Sequence, residues 1–465
     1  MEQKWTQHWV RHQVLSLPEL LVHIFEYLER EKPTLAAVVR VSQRWFACGT
    51  HVLWQEAPYQ KLLQVEASRR QIYAPKFTKI IFEGDDDAPV HFEFEELKFL
   101  NVKILSVGAE RNKDGRQPFI RQYLQQPLQD FWYIGGDLDH DFLTYVKDTC
   151  WNIRRIQLDS PGPKVTPGFF YSFISELRTL HHMEFKHQMD HLVTGDLLVH
   201  LASRENLSHL VIGTFVRNKL VRRLVREVRE PFPAIRDLFM NIETDSFSLL
   251  VKFLGNLTHL HLMVRDDYGE VIRKIAPLTI LVKLALEFTI DTELSKDEIM
   301  ALKSFPRVRV LRIFTHGQQG AVHVSARNSG FSDSDFDHVV KHLPALREFA
   351  FNVASNLTAE ALASLSRHCR WLKDVSIPQK FDMEPFVRPE SQPQLSLPYL
   401  MWLSIDGFVT PPVQDDAEEG QRPDPTVLVA RLREWFPRLQ RVYVESIEDY
   451  TQHFNAEFES LVGGQ

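Results

Sequence analysis

The sequence predicts an α/β protein: a short all-helical unit first, then a long array in which strands and helices alternate and the strands lie parallel. Three observations predict it. The 465 residues exceed what one conventional core organises, which leaves several domains or one elongated array. A six-residue pattern with apolar residues at places one, four and six recurs from Phe77 to Leu439 at near-regular spacing. Helical periodicity fills the intervals and also the segment before Phe77.

The first element spans Leu15-Ser16-Leu17-Pro18-Glu19-Leu20-Leu21-Val22-His23-Ile24-Phe25-Glu26-Tyr27-Leu28. Pro18 suits a first turn, where its missing N–H has no partner to lose, and Ser16 with Glu19 has capping-box spacing. Leu21, Ile24 and Leu28 are expected on one face. After Glu29-Arg30-Glu31-Lys32 and Pro33, a second helical pattern runs through Leu35, Val38, Val41 and Trp45, and a short third piece ends at Leu53-Trp54. A unit of roughly 40 residues buries little by itself. Apolar residues surround much of its first helix, so part of that surface is expected to meet a partner.

In order and spacing, Leu17-Pro18-Glu19-Leu20-Leu21, Ile24, Leu28, Val41, Trp45 and Leu53-Trp54 resemble an F-box, over residues 15 to 56. The resemblance implies docking on the Skp adaptor, and through it on a cullin. The residues implied are Leu17, Pro18, Leu20, Leu21, Ile24, Leu28, Val41 and Trp45, with Leu21 and Ile24 as anchors. Ser42 departs from the pattern, which often has a cysteine after the valine. The alternatives are a plain helical cap on the repeats and an F-box that works outside any ligase.

The hexamers begin at Phe77, Val102, Leu128, Ile153, Leu180, Leu207, Ile235, Leu257, Leu281, Val308, Leu346, Leu372, Leu400 and Leu439. One match means little: with 44% apolar residues, roughly forty hexamers fit by chance. Regular spacing carries the inference. Thirteen steps cover 362 residues, about 28 each, and the array resembles leucine-rich repeats, whose period is about 20 to 29 residues. Helical stretches such as 246–254 and 358–369 separate the strands. Cys150 and Cys369 each sit three residues before a hexamer, similar to the cysteine-type repeats found beside F-boxes, and are expected as buried free thiols. None of the fourteen copies has Asn or Cys at the ninth place, so the turns after the strands must be satisfied in another way.

The expected domains are an N-terminal extension (1–14), the F-box (15–56), a linker helix (57–76) and the repeats (77–465). Insertions near 316–331, 378–398 and 407–425 are expected as irregular segments, the first and third as exposed loops. The third carries Pro411-Pro412 and Asp415-Asp416-Ala417-Glu418-Glu419, and a smaller acidic run is Gly84-Asp85-Asp86-Asp87.

Formal net charge is -7, which gives no general pull toward nucleic acid or anionic lipid and favours protein partners. Cys48, Cys150 and Cys369 are three and far apart, which indicates neither a disulfide framework nor a cysteine zinc site. The start Met1-Glu2-Gln3-Lys4-Trp5 has no apolar run and no 18-residue apolar window follows, so neither a secretory signal nor a membrane span is expected. Cytoplasm or nucleus fits.

Candidate chemistry has a plainer explanation in each case. Asp137-Leu138-Asp139-His140-Asp141 offers metal oxygens and an imidazole, but acids there suit the start of a helix at Phe142. His181, His182, His187 and His191, and the alternating His259 and His261, lack a third spaced ligand and read as solvent-facing strand positions. The basic amphipathic stretch 219–229 reads as a repeat helix with a solvated face rather than a lipid-binding one. No nucleophile elbow, phosphate loop or His-Glu-x-x-His motif occurs, so neither catalysis nor a cofactor is expected.

The reading is an F-box followed by a right-handed arc of repeats, acting as substrate receptor of a cullin-based ubiquitin ligase. A non-degradative scaffold or transport factor, and an enzyme with its site in the insertions, are the rivals. The fifth and seventh hexamer places should form a strip on the concave sheet. That strip holds Glu184 and Lys186, Phe239 and Asn241, His261 and Met263, and Arg312 and Phe314, residues of a kind used in protein interfaces.

Overall fold

A computed structural model describes residues 17–83, 88–108, 120–136, 138–317, 322–382, 396–408, 425–444 and 449–463. The chain divides into two compact units, Met1–Leu197 and Leu198–Gln465. Among the described residues no helix is long and apolar enough to cross a membrane.

The first unit opens with helices α1 (Pro18–Glu26), α2 (Lys32–Val38) and α3 (Gln43–Trp54). Pro18 takes the first turn as expected. The N-cap, however, is Leu17, which makes no side-chain cap bond; Ser16 lies outside the described residues. The second expected helix is also corrected. It stops near Val39, and Ser42 opens α3 as its N-cap, with Oγ accepting from the Trp45 N–H at 3.2 Å. A serine hydroxyl competes for backbone groups inside a helix and satisfies an orphan N–H at its start, so Val41 and Trp45 fall on opposite sides of a break.

Leu21, Phe25, Leu35, Cys48 and Val52 form the core of this helical bundle, with Leu28, Val38 and Trp45 packed against it. Phe25 meets Trp45 edge-on at 5.4 Å. Gly49 lets α3 approach closely: a Cβ there would stand 2.7 Å from Val39 Cγ1.

The expected linker helix over 57–76 is instead a chain of short turns, Tyr59–Gln64, Ala67–Arg69, Arg70–Tyr73 and Ala74–Lys76. Pro58 precedes the first and Pro75 lies inside the last, and neither offers an N–H to a continuous helix. Trp54 stacks on Tyr73 at 4.8 Å and meets Phe77 at 5.6 Å, which ties α3 to the first repeat.

Five strands follow in this unit: β1 (Lys79–Glu83), β2 (Ile104–Gly108), β3 (Asp130–Ile134), β4 (Arg155–Asp159) and β5 (His182–Phe185). They pair in chain order and parallel. The second unit holds β6 (His209–Val216), β7 (Asp237–Ile242), β8 (His259–Val264), β9 (Lys283–Phe288), β10 (Thr292–Glu293), β11 (Val310–Thr315), β12 (Val324–Ser325), β13 (Glu348–Phe351), β14 (Asp374–Phe381), β15 (Trp402–Phe408) and β16 (Arg441–Val444). Its main sheet is parallel in the order β6-β7-β8-β9-β11-β13-β14-β15-β16.

Each hexamer strand starts two residues after the hexamer's first apolar residue, and none of those first residues is more than 5% exposed. The one-four-six spacing thus has a cause. The first side chain fills the turn entering the strand, and the other two alternate inward along it. Successive repeats are joined by a recurring bond pattern, in which two N–H groups converge on one carbonyl of the repeat before. Lys103 and Ile104 bond Thr78 O at 2.7 and 3.1 Å, and Lys373 and Asp374 bond Arg347 O at 2.7 and 3.2 Å. Gln55, just past α3, supplies the same acceptor to Thr78 and Lys79 at 2.9 and 3.2 Å, so the helical unit takes the place of a preceding repeat.

In two central repeats buried carboxylates satisfy the backbone donors that open a helix of the preceding repeat. Asp266, 8% exposed, accepts from the N–H and, at 2.8 Å, from the hydroxyl of Thr244, which begins the helix Thr244–Val251 of the repeat before it. Glu298, 0% exposed, accepts from the Ile272 and Arg273 N–H groups in the helix Val271–Ile275. Helix N-termini carry unpaired donors and positive potential, so acids reaching in from the next repeat satisfy both. Cys150 and Cys369 are free and buried, as expected.

Two insertions are corrected in part. Within 316–331, β12 pairs in parallel with β10, Ala326 N donates to Ala354 O at 2.8 Å, and Phe331 is 3% exposed; the part from Val324 on is tied to the repeats rather than free, and 318–321 lie outside the described residues. The segment expected to be irregular from Pro378 begins by continuing β14 to Phe381, with a register shift between Ile377 and Lys380, where Pro378 lacks an N–H for the ladder; its residues 383–395 lie outside the described residues. Most of the third insertion, 409–424, and the acidic residues 84–87 lie outside the described residues.

Candidate protein-binding surfaces

On α1 the spacing sorts two faces. Leu21, Phe25 and Leu28 pack inward, while Leu17, Leu20, Ile24 and Tyr27 repeat at helical intervals on the outer side with 49, 40, 42 and 79% exposure. Val41 is exposed too, and Pro18 lies at the head of the stripe. Leu21 is therefore corrected as an exposed docking anchor: at 0% exposure it belongs to the core of the bundle. Leu28 and Trp45 are half-buried against the same core. Tyr27 was absent from the expected docking set, although the spacing of Leu17, Leu20 and Ile24 points to it.

The sheet face of the first unit carries the row Ile81, Ser106, Trp132, Gln157, Glu184, in register across five strands. Glu184 bonds His182 at 2.8 Å and Lys186 at 3.0 Å. Ile81, Trp132 and Ile134 are 42, 39 and 40% exposed. These apolar residues were missed by looking only at central repeats, yet they occupy the same fifth and seventh places.

In the second unit Phe239, His261, Ala285 and Arg312 align across β7, β8, β9 and β11, and Asn241, Met263, Glu287 and Phe314 form the next row. His261 meets Phe239 edge-on at 4.4 Å and lies 5.9 Å from Phe314. Between these rings Glu287 binds His261 Nε2 at 2.9 Å and His316 Nδ1 at 2.5 Å. Burial alone would raise the Glu287 carboxyl, but the two imidazole bonds outweigh it and hold the group below its ordinary range. Arg312 is exposed and bonds Glu348 at 2.7 Å. Met263 is half-buried in the same row. Glu287 stands at the seventh place of the Leu281 hexamer, but at 9% exposure and bonded to both imidazoles it positions His261 and His316 rather than facing outward.

Asn241 is corrected. Only 2% exposed, it donates to Gly213 O and accepts from Arg265 Nε, both at 2.9 Å, and so it ties neighbouring repeats together. A buried amide needs its partners, which removes it from a recognition surface.

Some of the other candidate groups make structural contacts. Asp139 is the N-cap of the helix His140–Thr149, accepting from Phe142 N at 2.8 Å; Asp137 lies outside the described residues. His187 bonds Asp159 at 2.9 Å. The basic stretch forms the helix Asn218–Glu227, with Val221 and Leu224 buried and Arg223 paired to Glu227.

No family model matches the chain, and no curated protein matches it. Solved structures it resembles include the Rad7 and Elc1 complex in yeast, 16% identical, covering 86% of this chain and 89% of that one at a TM-score of 0.43. Another is the leucine-rich repeat-containing protein LegL7 from Legionella pneumophila, 11% identical, covering 64% and 90% at a TM-score of 0.35. Likenesses this distant carry no argument, and the repeat fold stands on the chain's own register.

Proposed function

We propose that this chain is the substrate-recognition subunit of a Skp–cullin–F-box ubiquitin ligase. The observation that carries the reading is the outer stripe of α1. Leu17, Leu20, Ile24 and Tyr27 remain exposed on a bundle that has already closed its own core, and they lie within the stretch whose residue order resembles an F-box. Apolar residues exposed together on one helix face suit a partner's groove.

In this reading the Skp adaptor docks on that stripe and a protein substrate on the repeat sheet face, through Phe239, His261, Met263, Arg312 and Phe314. The chain performs no bond chemistry. It holds the substrate at high effective concentration beside a partner that transfers ubiquitin. Burial pushes the Cys150 and Cys369 thiols up to about 12, which keeps them protonated and suits the proposed cytoplasmic or nuclear setting.

Reconstitution tests the proposal. Purified chain, Skp adaptor and cullin should elute together from a sizing column, and the assembled complex should attach ubiquitin to proteins captured by the repeats. Elution of the chain apart from the adaptor overturns the F-box reading. Stable assembly without ubiquitin transfer to any captured protein favours the scaffold instead.

A further inference from the structure

The strand-entry edge of the second unit carries a row of cations that no function described so far uses. Arg309, Arg347 and Lys373 each occupy the residue immediately before a strand, β11, β13 and β14 in turn. Arg347 N donates to Arg309 O and Lys373 N to Arg347 O, both at 2.7 Å, so the three stand on neighbouring strands about 4.8 Å apart. All three are exposed. Like charges directly side by side on adjacent strands are destabilising, and among the described residues none of the three has an ion-pair partner.

The nearest acids do not cancel the row. Glu348 is engaged by Arg312 at 2.7 Å, and Asp374 is a single half-buried carboxylate beside Lys373. Nor does the helix dipole explain it. Lys341 and Arg367 lie in last helical turns, where cations are favoured, but Arg309, Arg347 and Lys373 lie beyond the helix ends.

Beside this row stands an aromatic pair. Trp371, 43% exposed, stacks on Tyr399 at 5.2 Å with 23° between the rings. Arg370 lies 5.1 Å over Trp371, and Arg438 lies 5.1 Å over Tyr399. Trp371, Tyr399 and Arg438 each immediately precede the first apolar residue of a hexamer, so they share one edge with the cation row.

We propose that this edge binds an acidic peptide segment of a protein partner. An extended peptide advances about 3.3 Å per residue, so carboxylates along it come within reach of successive cations, while the Trp371–Tyr399 pair accepts an apolar side chain. The whole-chain charge of -7 opposes a long polyanion such as nucleic acid. A short segment responds mainly to charges within a Debye length, about 8–10 Å. The inference rests on the repeat fold and not on adaptor docking by α1, so the two fail separately.

The test is fluorescence anisotropy of the full-length chain with fluorescein-labelled octaglutamate. Wild type binds, and binding weakens as salt rises; R309Q/R347Q/K373Q weakens it about tenfold with a melting temperature that is not lowered, since removing the repulsion among the three cations can only relieve strain. The control R222Q/R226Q/R229Q, on the basic helix and its end, leaves binding unaltered. A second peptide with one glutamate replaced by tryptophan binds wild type more tightly and loses that gain in W371A. The proposal is overturned by salt-insensitive or absent octaglutamate binding, by equal loss in the control, or by tighter binding of an octathymidylate oligonucleotide, which would make the edge a nucleic-acid surface.

Discussion

Two neighbouring leucines on α1 should behave in opposite ways. Burying a whole Leu or Ile side chain contributes about 1.5–3 kcal/mol. Leu20 and Ile24 retain 40 and 42% exposure, so docking has about 0.6–1.2 kcal/mol to gain at each and about 1.2–2.5 kcal/mol at both. L20A/I24A should therefore weaken adaptor binding roughly 7- to 60-fold and leave the bundle folded. Leu21 is fully buried among five core residues, and L21A costs about 2–5 kcal/mol of bundle stability. Calorimetric titration with purified Skp adaptor reads the first effect, and hydrogen exchange across α1, α2 and α3 reads the second. Should L20A/I24A bind within twofold of wild type, the outer stripe is not the docking face. If L21A lowers affinity with exchange protection intact, the assignment of inner and outer faces is wrong.

Glu298 makes the repeats pH-sensitive. Burial pushes its carboxyl up to about 7 from 4.5 against the pull of the Ile272 and Arg273 donors. The contribution is full below the unfolded value of 4.5 and lost as pH rises through about 7, up to about 3 kcal/mol. Urea titrations at pH 5 and pH 8 should show E298Q gaining on wild type at the higher pH, and parallel profiles would refute this. N241A, which strands the Gly213 carbonyl and the Arg265 guanidinium, should lower stability by about 1–3 kcal/mol; an unchanged urea midpoint would return Asn241 to the surface. F239A/R312A/F314A should abolish substrate capture at constant adaptor affinity and melting temperature, and continued capture would move recognition off this strip.

Where the strands begin was legible in the sequence, because the pattern that marks them is local. One turn-filling residue and two alternating strand residues must be apolar in every repeat, so each hexamer from Phe77 to Leu439 marks a strand, which the structure starts two residues on; the short β10 and β12 follow no hexamer. The Asp139 cap followed from local chemistry as well, and the buried thiols of Cys150 and Cys369 from the resemblance to cysteine-type repeats. Tertiary packing decided the rest. Leu20 and Leu21 are the same residue type in adjacent positions, and it is the packing of α1 against the rest of the bundle that decides which of the two faces is buried. Asn241 and Arg312 occupy the same sheet face, but Arg265 and Gly213 enclose the first, while the second is exposed and bonded to Glu348. The pairing of β10 with β12, the acids that cap helices of the preceding repeat, and the alignment of Arg309, Arg347 and Lys373 all join residues some 22 to 38 positions apart. No local period encodes such distances; they exist only once the strands have taken their register.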